Sequence, residues 1–343
     1  MAADPPDHPV SGPRRSPRLR TVLRWALLPV TVALLAWVIA PVARDWNQVE
    51  PMLMRPAVAV ALGLGSLAYA ACLWLFMAPG WWWLTSLYGR RVAPLPAGAV
   101  WCRTQIIKYL PGNVAHYVGR QVLGRRLGLH HAEMAAASLL ELVSILGAAA
   151  LIGVLGLTLG AHRVADADGA LGPGAAQRLW VALPILAGLV VAGLLAWPIA
   201  DALARRVPLL ERHMADLPRL APLRSLRLLG PTVVAHAAFL SLTGTILWWL
   251  VEAASPGTWL PLSRTIWVYA VAWAVGTTTP GGGGGMGVRE AVLTLELSHD
   301  MGRPEAAAIA LALRGVTMAG DGLAFAASLV VPIKSPGPAV VPA

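Results

Sequence analysis

Two stretches of this sequence set helix-breaking residues and charge inside apolar surroundings. The first is Lys108-Tyr109-Leu110-Pro111-Gly112-Asn113, preceded by Arg103 and followed by Arg120. The second runs Thr279-Pro280-Gly281-Gly282 through three more glycines to Gly287, Arg289 and Glu290. Five consecutive glycines sacrifice about 1 kcal/mol of helix propensity each relative to alanine, so the chain must unwind there. Unwound backbone at membrane depth is tolerated only where protein or a water-filled cavity surrounds it. Free amides at the start of the following helix would seat an anionic group such as phosphate, and Arg289 and Glu290 would either hold that tip or touch the ligand. The plain alternative is a flexible loop between two spans. In the first stretch, Arg103, Lys108 and Arg120 around Tyr109 and Asn113 could collect phosphate headgroups, or simply snorkel to the interface as basic residues often do.

Three further charges fall within apolar runs: Glu141, Arg314 and Asp321. A lone charge in a bilayer is costly enough to demand a partner or a polar cavity. Glu141 and Arg314 sit in equivalent late segments of the two halves of the chain and are expected to pair, structurally or functionally, while Asp321 has no evident partner. Glycines 282, 284 and 287 fit G-x-G-x-x-G, but no strand precedes them, which argues against a dinucleotide site. No Lys-Ser/Thr follows them, no H-E-x-x-H or G-x-S-x-G occurs, and Cys72 and Cys102 have no ligand-spaced neighbours. The expectation is therefore no catalytic residue, no metal and no cofactor.

The elements that position these residues are apolar helices. The chain is 57% hydrophobic and 13% charged with a mean hydropathy of +0.64, outside the soluble range. Its net charge of +10 comes from arginines clustered beside apolar runs, which sets orientation and does not imply nucleic acid. Residues 1–20 read as a disordered basic tail, followed by a retained span at 22–42 with a cytoplasmic N-terminus. A second run at 57–87 is long for a bilayer, bent at Pro79-Gly80 and ending in Trp81, Trp82 and Trp83, which fit an interfacial aromatic belt. Arg90 and Arg91 mark the cytoplasmic side. Residues 92–129, basic at both ends with Pro-Gly in the middle, read as a re-entrant pair of half-helices or as an amphipathic pair on the surface.

Spans follow at 132–160, with Gly156 and Gly160 spaced for close helix packing, and, after an extracytoplasmic loop, at 179–200. An arginine-rich cytoplasmic loop leads to spans at 228–251 and 259–276. Residues 288–297 are too short to cross alone, 299–303 form a polar turn, and 304–332 give the last span before Lys334. The glycine stretch then tips a second re-entrant pair, or breaks one crossing. The fold class expected is an all-α polytopic membrane protein of about six full spans plus two Pro/Gly-interrupted re-entrant pairs. The membrane domain covers 21–334, with halves at about 21–160 and 178–334, and a short tail covers 335–343. The halves share their order but start on opposite sides, the pattern of an inverted repeat whose interrupted segments point to a transport site.

The run Gln105-Ile106-Ile107-Lys108-Tyr109-Leu110-Pro111-Gly112-Asn113 with Arg120, the run Thr279-Pro280-Gly281-Gly282 with Gly287-Val288-Arg289-Glu290, and the late Arg314 resemble the flippase-like transmembrane domain of lysylphosphatidylglycerol synthases. The resemblance spans residues 20–334. It departs from the family where Leu142, not Arg, follows Glu141, and in the length of the glycine run. It implies a stand-alone member without the soluble aminoacyl-transferase domain, in a bacterial cytoplasmic membrane, that translocates a phospholipid or lipid-linked substrate. The alternative is a non-catalytic partner scaffolding a separately encoded lipid-modifying or glycosyl-transferring enzyme. A membrane enzyme using Glu141 or Asp321 as acid or base is a third reading.

Overall fold

The computed structural model describes residues 32–87, 92–109, 115–168, 222–279 and 283–333, with backbone alone at 157–168 and 222–228. Within them every regular element is helical. In chain order these are α1 (Val32–Arg44) and α2 (Trp46–Leu53), then α3 (Pro56–Cys72), which continues through a π turn (Leu73–Met77) into α4 (Ala78–Ser86). Next come α5 (Pro94–Gln105) with a 3-10 turn (Ile106–Tyr109), α6 (Ala115–Gly124) and α7 (His131–Asp168). The second half holds α8 (Pro222–Ala254), α9 (Leu262–Thr278), a 3-10 turn (Gly283–Gly285), α10 (Val288–Leu297) and α11 (Arg303–Leu329). Among the described residues, four segments are long and apolar enough to cross a membrane: Pro56–Ser86, His131–Gly156, Leu229–Ala254 and Arg303–Leu329.

Prolines punctuate these helices as their chemistry requires. Pro56, Pro94 and Pro304 occupy first turns, where a missing N–H costs nothing. Pro79 cannot donate to the carbonyl four residues back, and the wide turn at Leu73–Met77 just before it absorbs the mismatch. The expected bend at Pro79-Gly80 is thus a π turn in one continuous helix. The α7 backbone also runs on as helix to Asp168, beyond the expected end at 160. The tails, the span at 179–200, the arginine-rich loop up to residue 221, and Lys334 lie outside the described residues.

Polarity is arranged inside out. On α3, Val60, Leu64 and Leu67 are more than half exposed, whereas Ser66 and Tyr69 are buried; His236 and Thr243 of α8 and Asp321 of α11 are also buried. Apolar side chains at the perimeter and polar ones within suit a helix bundle solvated by lipid. Contact between such helices depends on small residues, because lipid supplies no hydrophobic drive to bring them together. A Cβ on Gly320 would stand 2.6 Å from the Tyr69 ring and 2.9 Å from the Ser66 carbonyl. Gly156 is covered in the same way by Trp267, as its sequence spacing predicts; Gly160 falls where only backbone is described.

The packing is reciprocal. Helix α3 lies on α11 and α7 on α8; α5 lies on α11 and α9 on α7; α5 pairs with α6 and α9 with α10. Gly65 faces Val316, Gly320 faces Ser66, and Trp74 donates to the Ala324 carbonyl at 3.3 Å, so α3 and α11 run parallel. Arg103 of α5 donates to the Ser328 and Val331 carbonyls at 2.7 Å each, closing the C-terminus of α11. At the start of α9, Arg264 bonds Glu296 at 3.2 Å and Asp300 at 3.5 Å, so the end of α10 returns to the level where α9 began.

Candidate functional site

The turn at Ile106–Tyr109, just before Pro111, touches the turn at Gly283–Gly285, just after Pro280. The loop apices, with Pro111, Gly112, Asn113, Pro280, Gly281 and Gly282, lie outside the described residues. Beside this junction is a cavity of about 100 Å³ whose walls include Gln105, Lys108, Arg120, Glu141, Trp273 and Arg289. Around it, three ion pairs organise charges that the sequence scatters over four helices and the turn at Ile106–Tyr109.

The deepest pair joins Arg120 of α6 to Glu141 of α7. Arg120 is 1% exposed and Glu141 5%. Trp101 of α5 donates its indole N–H to the other Glu141 oxygen at 2.6 Å. The guanidinium lies 5.7, 5.3 and 5.5 Å from the ring centroids of Trp81, Trp101 and Tyr117, a cation–π enclosure that replaces water around the charge. Three expectations change here. Glu141 does not pair with Arg314. Trp81 is fully buried against Arg120 and does not join an interfacial belt. Arg120 and Arg103 do not gather headgroups at the surface, since one is enclosed and the other closes α11. Helix rotation decides all three, and hydropathy does not encode it.

The second pair explains Asp321. Lys108 reaches it at 2.7 Å, Tyr109 donates its hydroxyl to the same carboxylate oxygen, and Asp321 is fully buried. The third pair ties Arg314 to the glycine turn: its guanidinium is 3.5 Å from Glu290 and donates to the Gly284 carbonyl at 3.3 Å. It also stands 5.2 Å from the centroid of the Tyr109 ring. Glu290 accepts the Gly287 amide at 2.6 Å, the acidic half of an N-terminal cap. Helix α11 therefore holds both loops, one through Asp321 and the other through Arg314.

Glycine is required in this turn for conformation, not only for openness. Gly284, Gly285 and Gly287 have φ of 60°, 72° and 83°, a left-handed region that costs other residues about 1–2 kcal/mol each. A Cβ on Gly285 would also stand 2.9 Å from the Gly276 carbonyl. Thr279 spends its hydroxyl on the Val275 carbonyl at 2.7 Å, ending α9, while Thr277 lines the cavity.

Arg289 differs from the other cations. It lines the cavity, its guanidinium is 6.0 Å from the Trp273 ring centroid, and, unlike Lys108, Arg120 and Arg314, it has no carboxylate within ion-pair distance among the described residues. The adjacent Arg289 and Glu290 thus divide the two roles expected of them: Glu290 holds the tip and Arg289 faces the cavity. Trp101, Tyr117 and Trp273 join the site without any motif that marks them in the sequence. One signal was available for the two arginines, since Pro111 to Arg120 and Pro280 to Arg289 are each nine residues, with Gly after Pro in both. The sequence matches no protein-family model and no curated protein.

Proposed function

We propose that this protein is a lipid translocase of the cytoplasmic membrane, in which the turns flanking the two Pro-Gly motifs meet at a headgroup site reached from opposite sides of the bilayer. The observation that carries the reading is the junction itself. Turns flanking both motifs touch beside a polar cavity, in a bundle whose perimeter is apolar. A headgroup crossing a bilayer must exchange water for fixed polar partners, while its acyl chains can stay in lipid.

The reciprocal packing supports an inverted repeat, with α3, α5–α6 and α7 matched to α8, α9–α10 and α11. Two-fold related loops of this kind place a site at the repeat interface and let one half rock against the other. The Arg264 contacts favour a re-entrant course for α9–α10 over a broken crossing. With α3 entering from outside, its parallel partner α11 ends in the cytoplasm. The ion pairs from α11 to each loop are the contacts that an opening step would exchange for contacts to substrate. The resemblance to flippase-like domains agrees with this reading and supplies its word "lipid".

The test is purified protein in liposomes carrying fluorescent lipids of varied headgroup, with leaflet exchange read by an external quencher. Exchange well above protein-free liposomes for at least one headgroup is expected. No exchange for anionic, zwitterionic or aminoacylated lipids would overturn the reading, and a co-purifying lipid-modifying enzyme would then favour a scaffold.

A further inference from the structure

The geometry points to a specific headgroup charge: the cavity takes a singly charged phosphodiester anion and disfavours headgroups that carry an ammonium. This rests on the translocase reading for its lipid context, but the argument comes from the charges themselves. Among the described residues, four cations, Lys108, Arg120, Arg289 and Arg314, face three carboxylates, Glu141, Glu290 and Asp321, and each carboxylate is matched to one cation. The remaining charge is that of Arg289, in the cavity wall. Arg289 is only partly buried, and a cation in a cavity wall with no carboxylate of its own is best stabilised by an anion drawn from outside. One negative charge at this point completes the balance.

The equal spacing after the two Pro-Gly steps sharpens the contrast. Arg120 and Arg289 hold corresponding places in the two halves, yet only Arg120 has an internal carboxylate. The aromatic enclosure of Trp81, Trp101 and Tyr117, which is the surface an ammonium would seek, is already filled by Arg120. A zwitterionic or aminoacylated headgroup would bring a cation to a site with no spare carboxylate among the described residues. A phosphomonoester would bring a second negative charge with no cation to meet it. Gln105, Thr277 and His116, whose Nδ1 lacks a partner, are neutral groups in the wall able to bond phosphate oxygens.

The test is equilibrium binding to the full chain in zwitterionic nanodiscs, read by intrinsic tryptophan fluorescence, since Trp101 and Trp273 line the cavity. The probes are short-chain phosphatidylglycerol, short-chain phosphatidylcholine, short-chain lysyl-phosphatidylglycerol, glycerophosphoglycerol and inorganic phosphate. Wild type is expected to bind phosphatidylglycerol at least tenfold tighter than the zwitterionic and lysylated lipids. Arg289→Gln should reduce that preference to less than threefold, Arg289→Lys should keep most of it, and Arg264→Gln, at the outer end of α9, should leave it intact. Glycerophosphoglycerol binding within tenfold of the lipid would assign the affinity to the phosphodiester alone; weaker binding would assign the rest to acyl chains. Equal or tighter binding of the ammonium-bearing lipids or of inorganic phosphate by wild type would overturn the inference, as would an undiminished preference in folded Arg289→Gln. Selective binding without leaflet exchange would sink translocation and leave this inference standing. Exchange without headgroup preference would do the reverse.

Discussion

Replacing Glu141 by Gln removes one negative charge from the centre of the bundle while keeping nearly the same shape. The carbonyl oxygen of Gln can still accept the Trp101 indole N–H, now 2.6 Å from Glu141, so a neutral hydrogen bond of about 1 kcal/mol survives. Arg120 keeps its three aromatic neighbours but loses its counter-charge at 1% exposure. Removing one partner of a buried ion pair costs about 3–5 kcal/mol. The rings and the adjoining cavity place this case near the lower end, at roughly 3 kcal/mol. Arg120→Gln should cost a similar amount, since it strands Glu141. The double variant strands neither charge, so it should cost well below the sum of the two, with a coupling of about 2–3 kcal/mol. The assay is a double-mutant cycle on reversible unfolding in mixed micelles, followed by tryptophan fluorescence. Additivity within about 0.5 kcal/mol would refute the pairing and with it the argument that Arg120 is internally neutralised.

Asp321→Asn should release Lys108 and loosen the first loop, lowering stability by about 1–3 kcal/mol and increasing protease or exchange sensitivity around residues 106–109. Gly320→Ala sets a methyl against Tyr69 and the Ser66 carbonyl and should cost about 1–3 kcal/mol, measured in the same unfolding assay; a neutral result would mean that α3 and α11 pack less closely than described. In a background lacking Cys72 and Cys102, Arg126→Cys should label from the cytoplasm and His299→Cys from outside. Labelling of both from one side would remove the opposed insertion of the two loops.

What could be read from the sequence and what could not divide along a physical line. Among the described residues, hydropathy located the four helices long and apolar enough to cross a membrane, because composition along the chain records which segments avoid water. The short helix at 288–297 and the turn at 299–303 emerge where expected, since too few apolar residues lie there to cross. Regular helix ends at Tyr109 and at Thr278, close before the two Pro-Gly motifs, because proline and glycine act locally; Pro111 and Pro280 themselves lie outside the described residues. Partner choice was not legible. Glu141 selects Arg120 over Arg314, and Asp321 selects Lys108 and Tyr109, because these pairings depend on how helices rotate and cross. Trp81 looked like a belt residue for the same reason, as composition marks a helix end without saying which face turns inward. The nine-residue spacing from proline to arginine in both halves was open to inspection throughout, and it would have singled out Arg120 and Arg289 together.

The central claim is that Arg289 faces a headgroup in transit. Its most direct test is the initial rate of leaflet exchange of labelled phosphatidylglycerol in proteoliposomes, compared between wild type and Arg289→Gln at matched protein density and confirmed fold. The wild-type rate should stand clearly above protein-free vesicles, and the variant should lose about tenfold or more, the effect of about 1.4 kcal/mol at the rate-limiting step. Equal rates in the two proteins would contradict it.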